Sequence, residues 1–138
     1  MNSRKFHQGQ LYLFQHSAWS SFYKIGCTNN IQNRKNCLST SLIGNINIIS
    51  TSSTLLDKFF YEFLLKIIFN ESHINKEFFN INVNEFNFVI SFFEFLNAKF
   101  NSIDKLQYFI YQLSSYSKYV LSQSKSFTKP VLFINTSK

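Results

Sequence analysis

Gln10-Leu11-Tyr12-Leu13-Phe14 is a run of β-favouring residues, and Phe22-Tyr23-Lys24-Ile25-Gly26 is a second. The polar stretch His16-Ser17-Ala18-Trp19-Ser20 lies between them, so residues 10–15 and 21–26 predict a β-hairpin. A helix is expected after Cys27-Thr28, with Asn29 as N-cap and Gln32 completing a capping-box-like arrangement. It should end near Leu38, before Ser39-Thr40-Ser41. Polar and apolar residues then alternate over Asn45-Ile46-Asn47-Ile48-Ile49-Ser50, which predicts a third strand. Thr54 is placed to cap a second helix running to about Phe69.

That helix is apolar nearly all round. Leu55, Leu56, Phe59, Phe60, Phe63 and Ile67 form one broad face, and Leu64, Leu65, Ile68 and Phe69 cover much of the rest. Such a wheel predicts a buried central helix. Asp57, Lys58 and Tyr61 add some polarity, while Glu62 and Lys66 fall toward the side of Leu55 and Phe59. A carboxylate there is costly unless it is paired, hydrogen-bonded or metal-bound. Residues 70–76 read as a loop and Glu77-Phe78-Phe79-Asn80-Ile81 as a short extended segment. A third helix is expected from Asn84 to Asn97, with Val89, Phe92, Phe93 and Leu96 inward. Past Asn101 the composition shifts to Ser, Tyr and Lys, but Leu106, Phe109, Ile110, Leu113, Val120 and Leu121 keep an amphipathic helical stripe between Asp104 and Ser124. Pro130 stops it before the apolar run Val131-Leu132-Phe133-Ile134.

Length and composition narrow the picture. A chain of 138 residues is one domain with room for an appendage. Its 14 Lys+Arg against 7 Asp+Glu give a net charge of +7, which favours polyanionic partners without identifying one. The start of the chain is polar, not a secretory leader, and no apolar run reaches the length of a membrane span. Cys27 and Cys37 form no CxxC pattern, so both read as reduced thiols of an intracellular protein. His7, His16 and His73 lack metal-ligand spacing, which argues against a zinc site.

The order of certain residues adds more. Gly9-Gln10-Leu11-Tyr12 is followed by Tyr23-Lys24-Ile25-Gly26, and Arg34 comes eight residues after Gly26. Leu38-Ser39-Thr40-Ser41, Glu62 and Glu77-Phe78-Phe79 follow in turn. Over about residues 8–97 this series resembles the GIY-YIG nuclease superfamily, in the branch common in phages and large DNA viruses. The resemblance implies a small α/β fold, a three-stranded mixed or antiparallel sheet flanked by helices, with a C-terminal helical extension. Residues 1–98 would be the nuclease-like domain and 99–138 the Ser/Tyr/Lys-rich extension.

The implied chemistry is metal-assisted hydrolysis of DNA phosphodiesters. By resemblance Tyr12 orients or activates the attacking water, and Arg34 bridges the scissile phosphate with its planar fork. Lys24 stands where many relatives carry a second tyrosine, as a base or as a phosphate partner. Glu62 would hold one Mg²⁺ or Mn²⁺, an ion that needs only one or two carboxylates. Gly26 would be the hinge where the strand turns into the helix, with room for the phosphate. Tyr23 and Glu77 would be supporting residues. Two positions depart from the branch: Lys66 replaces a usual histidine, and Cys27 a usual lysine or small polar residue.

Taken singly, each residue has a plainer reading. Tyr12 fits a half-buried strand tyrosine, Lys24 a strand residue facing water, and Arg34 a solvated helix residue. Glu62 and Lys66 fit an i,i+4 pair contributing ~0.3–0.5 kcal/mol when exposed. Glu71 and His73 should face solvent. The tail's lysines and tyrosines can contact DNA, or its stripe can pack on the core, on a second subunit of a homodimer or on a protein partner; the continuous stripe favours packing. Two alternatives to a nuclease stay open, a catalytically inactive DNA- or protein-binding module of the same fold and an antagonist of a host factor.

Overall fold

In the computed structural model, which describes residues 6–19, 21–42, 44–75 and 78–123, strand β1 (Gln10–His16) is buried on both faces. Double burial is why it reads as an almost unbroken apolar run. Leu11 and Leu13 point to one side and Tyr12 and Phe14 to the other. β2 (Tyr23–Thr28) and β3 (Ile46–Thr51) flank it, both antiparallel. β5 (Phe78–Phe79) pairs with the far edge of β2, and β4 (His73–Asn75) pairs with β5. The sheet therefore has five antiparallel strands in the order β3-β1-β2-β5-β4, where three were expected. The two additional strands are three and two residues long, too short to show a period in sequence. Part of the expected 70–76 loop is a 3₁₀ turn, Asn70–Ser72, leading into β4.

Helix α1 (Ile31–Ser41) covers the Tyr12 side, resting Ile31, Leu38 and Leu42 on Tyr12, Phe14 and Ile46. Its N-cap is Asn30, not Asn29: the Asn30 carboxamide oxygen accepts from the Asn33 amide at 3.0 Å. The Thr28 hydroxyl accepts from the Asn30 amide at 3.1 Å, a local turn that moves the cap on by one residue. The helix also outlasts Leu38. Thr40 and Ser41 donate back to the carbonyls of Asn36 and Cys37, so these polar residues stay helical.

The other face carries the main core, with α2 (Lys58–Ile68), α3 (Val83–Lys99) and α4 (Ile103–Gln123) packed on Leu11, Leu13, Ile25 and Phe79. Thr54 does not start α2. Leu55 and Gly9 exchange both backbone bonds, at 3.1 and 2.7 Å, so the chain stays extended until Asp57. With Leu55 and Leu56 outside the helix, the buried face is Phe60, Tyr61, Leu64 and Leu65. Phe59 and Phe63 are 48% and 62% exposed, so α2 is amphipathic rather than buried all round.

Asn82 caps α3 through the Glu85 amide at 3.1 Å. Its inward residues are Phe86, Ile90 and Phe93; of the expected set Phe93 is buried and Val89 and Leu96 pack at the flank of the core, but Phe92 turns outward. Polar side chains of α3 fix its phase: Glu94 accepts from the Ser53 amide at 2.7 Å and Asn97 from the Leu56 amide at 2.9 Å. In α4, Leu106 is fully buried and Phe109, Ile110 and Leu113 pack on the same core, the favoured reading of its stripe. Val120, Leu121 and the Pro130–Ile134 stretch carry expectations outside the described side chains. Among the described residues no helix is long and apolar enough to cross a membrane.

Tyr61 is fully buried, and among the described residues its hydroxyl has no hydrogen-bond partner. Burial, and then the Asp57 carboxylate, push its pKa up to about 12 from 10.0. The folded state thus holds this proton more tightly than the unfolded chain, so stability present below pH 10 is lost as pH rises toward 12. Tyr61→Phe should raise stability by about 1 kcal/mol, because an unsatisfied buried hydroxyl is removed. Urea melts at neutral pH and at pH values between 10 and 12 check both points. The variant should also lose less stability than wild type across that alkaline range.

Candidate active site

The β1–β2 register sets the site. Tyr12 lies opposite Gly26 and Phe14 opposite Lys24, so all four belong to the α1 side of the sheet. The Tyr12 ring stacks on Phe14 with centroids 4.0 Å apart and lies over Gly26. A Cβ built on Gly26 would stand 2.2 Å from the Tyr12 hydroxyl oxygen and 2.4 Å from Cζ. Gly26 is inside β2, not at a strand-to-helix turn, and the ring of Tyr12 takes the space its missing side chain leaves. Thus placed, the Tyr12 hydroxyl accepts from Arg34 Nε at 3.3 Å. Arg34 is half-buried in the first turn of α1 and 22 residues away in sequence. Tyr12 is not half-buried but 1% exposed.

Lys24 does not face water either. It is 8% exposed, and its ammonium stands 5.6 Å from the centroid of Phe78, its partner across the β2–β5 ladder. Tyr23 points to the opposite side and flanks the main core.

Glu62 approaches the hairpin from that opposite side. Its Oε1 accepts from the Cys27 thiol at 3.4 Å, and Cys27 is paired with Leu11, on the face away from Tyr12. Its Oε2 lies 3.2 Å from Lys66 Nζ, the anticipated i,i+4 pair. Burial above all, then the Glu62 charge and the hydrogen bond to it, push the Cys27 pKa up to about 12; Lys58 and Lys66 pull weakly the other way. Cys27 is therefore a protonated donor that orients Glu62, not a thiolate nucleophile. The structure joins Tyr12 to Arg34 on one face and Glu62 to Cys27 and Lys66 on the other.

Among the described residues no three His, Cys, Asp or Glu side chains group as a metal cage. Glu62 alone still suits Mg²⁺, which keeps most of its waters and shares its remaining positions with substrate phosphates. Both Glu62 oxygens are already engaged, so an ion must compete with Lys66. Glu77 lies outside the described residues. The histidines are dispersed: His7 meets Phe59, His73 meets Phe79, and His16 Nδ1 accepts from the Ala18 amide at 2.9 Å. His73 and Glu71 are exposed, as expected. Sequence reasoning missed Cys27 as the partner of Glu62 and Tyr12 as the occupant of the Gly26 space. The hairpin register would have exposed the second; nothing in the sequence points to the first.

A family model of the T5orf172 domain, a phage-derived domain with a nuclease-related fold, matches residues 9–94. The match runs through every strand and helix up to Glu94 in α3. Neither the characterised proteins nor the solved structures give a significant match.

Two outcomes check this geometry. Gly26→Ala should destabilise the protein by about 1–3 kcal/mol through overpacking against Tyr12. In a Tyr12→Ala background the same change should cost much less, and additive effects in that double-mutant cycle would contradict the contact. Exposed Cys37 should react with a thiol reagent at pH 8 within the fast phase. Cys27 should lag by roughly two to three orders of magnitude, following its lower thiolate fraction. Two equally fast thiols in the folded protein would contradict the burial.

Proposed function

The chain belongs to the T5orf172 domain family, and we propose that it is a metal-dependent DNA endonuclease of the GIY-YIG type. The observation that carries this reading is the Tyr12–Arg34 contact over Gly26, a tyrosine, arginine and glycine from three separate elements meeting on one face.

In this reading Arg34 presents its guanidinium to the scissile phosphate. A separation of 3.3 Å from Tyr12 is loose for a charge-assisted bond, so Arg34 can exchange part of it for a phosphate oxygen. The Tyr12 hydroxyl, held by stacking on Phe14, orients the attacking water for in-line displacement. Lys24 adds positive charge on the same face, where a pentavalent phosphorane gathers negative charge. Glu62, oriented by Cys27, is the residue that would hold Mg²⁺ or Mn²⁺. Held there, on the face away from Tyr12, the ion would supply charge neutralisation to a substrate phosphate that reaches it. The net charge of +7 suits a polyanionic partner such as DNA. A homodimer or protein partner would engage α4, whose Tyr108 and Tyr111 are exposed.

A second reading, a DNA- or protein-binding module without hydrolysis, is favoured by one observation: Lys66 and Cys27 occupy both oxygens of Glu62.

Supercoiled plasmid incubated with Mg²⁺ and with EDTA separates the two. Nicking should require the ion, and Arg34→Ala and Glu62→Ala should each lower its rate at least about a hundredfold. Plasmid binding without nicking in either Mg²⁺ or Mn²⁺, unaffected by Glu62→Ala, would establish the binding module instead.

A further inference from the structure

Three aromatic rings beside Lys24 belong to neither core. Trp19 and Phe22 come from the β1–β2 connection, and Phe78 is the β5 residue paired with Lys24. All three are half-buried, and among the described residues none packs into the main core or into the smaller cluster under α1. They pack on one another. Trp19 and Phe22 lie nearly parallel, 22° apart with centroids at 5.6 Å. Both stand edge-on to Phe78, at 88° and with centroids 4.9 and 5.9 Å away.

The connection that carries Trp19 is held in place. The Trp19 amide donates to the His16 carbonyl at 2.9 Å, and the Gln15 carboxamide donates to the Trp19 carbonyl at 2.9 Å. The His16 ring lies against the indole at 5.5 Å. A large aromatic plane fixed by its own backbone, yet left partly outside any core, is preorganised for a ligand. The ladder pairing of Phe78 with Lys24, and of Lys24 with Phe14, puts the cluster on the same side of the sheet as Tyr12 and Arg34. α1 packs over the β1–β3 half of that face, whereas this cluster lies at its β2–β5 half.

We propose that Trp19, Phe22 and Phe78 form a stacking subsite for an unpaired nucleobase of the DNA strand whose phosphate Lys24 and Arg34 receive. The subsite rests on the DNA-acting reading above but not on hydrolysis. Parallel rings extend as a stack, so the base would stack on the part of that half-buried pair left open to solvent. Lys24 supplies the cation for the adjoining phosphate, the pairing of aromatic plane and positive charge that single strands require. A base inside a duplex has both faces covered by its neighbours. The substrate is accordingly DNA with an unpaired nucleotide beside the scissile bond, as in a flap, a bubble or a single strand.

Trp19 is the single tryptophan, so its fluorescence reports on the subsite directly. The test titrates the full chain, in EDTA, with a short oligothymidine and with a self-complementary duplex of equal length. Oligothymidine should quench the emission to saturation, with an affinity at least about tenfold above that of the duplex. Phe22→Leu and Phe78→Leu, checked for folding by circular dichroism, should each weaken single-strand binding roughly tenfold and leave duplex binding unchanged. If Phe78→Leu does not fold, Phe22→Leu decides. Equal quenching by duplex and single strand, or single-strand binding that changes neither the emission nor with Phe22→Leu, would overturn the subsite. Quenching without cleavage of either plasmid or a flap substrate in Mg²⁺ removes the hydrolytic reading and keeps the subsite; cleavage without quenching does the reverse.

Discussion

The register between β1 and β2 does more than pair two strands, because β1 has a different environment on each face. Leu11 and Leu13 enter the core under α2 and α3, while Tyr12 and Phe14 pack under α1. A slip of one residue would exchange these sets and would set a side chain, not Gly26, against the ring of Tyr12. The steric demand at Gly26 and the double burial of β1 therefore select the same register, one through repulsion and the other through apolar burial. The reach from the Tyr12 hydroxyl to Arg34 follows from it.

Side-chain polar groups then fix what the register does not. Beyond β3, Ser52 bonds the Leu11 amide through its hydroxyl at 2.9 Å, and its own amide donates to the Leu11 carbonyl at 3.0 Å. Gly9 and Leu55 extend that pairing, and Glu94 and Asn97 of α3 accept from the amides of Ser53 and Leu56. Most backbone donors in the passage into α2 thus have a partner, as buried or half-buried backbone requires. The delayed start of α2 is what turns Phe60, Tyr61, Leu64 and Leu65 inward. It also brings Glu62 to the thiol of Cys27. A helix begun at Thr54 would have presented a different face.

The hairpin and the order of the elements were legible in the sequence, because each rests on local periodicity. Spacing also singled out Tyr12, Lys24 and Arg34, which the structure brings to one face, but it set Glu62 beside them, and the structure puts Glu62 on the other. What was not legible depended on contacts between elements distant in sequence. The α2 phase was misjudged because Leu55 and Leu56 count toward the helical wheel until the Gly9 bridge is known. The α3 phase depends on Glu94 and Asn97, polar residues whose partners lie 41 positions away. β4 is too short to carry a period, whereas β5 falls within the extended segment expected at residues 77–81, and the α1 cap moved through a single hydroxyl of Thr28. Gly26 was correctly marked as special, but for the wrong reason: spacing identifies a glycine, and only the opposite strand says what fills its space.

The division of candidate groups between two faces of one hairpin has a chemical consequence. Arg34 and Lys24 are cations on the side of Tyr12, whereas the carboxylate of Glu62 is reached from the side of Cys27. Had Glu62 stood on the α1 side, it would neutralise the charge that attracts a phosphate; at ~4 Å two unit charges interact by about 4 kcal/mol near a protein surface. Its pairing with Cys27 and Lys66 keeps the Glu62 carboxylate away from the side that carries Lys24 and Arg34. A protonated thiol suits that position, because it orients a carboxylate without adding charge, whereas a lysine there would add a third ammonium to those of Lys66 and Lys58. With Lys66 already supplying the cation for Glu62, a neutral donor at Cys27 is the choice that leaves the carboxylate ordered without over-neutralising it.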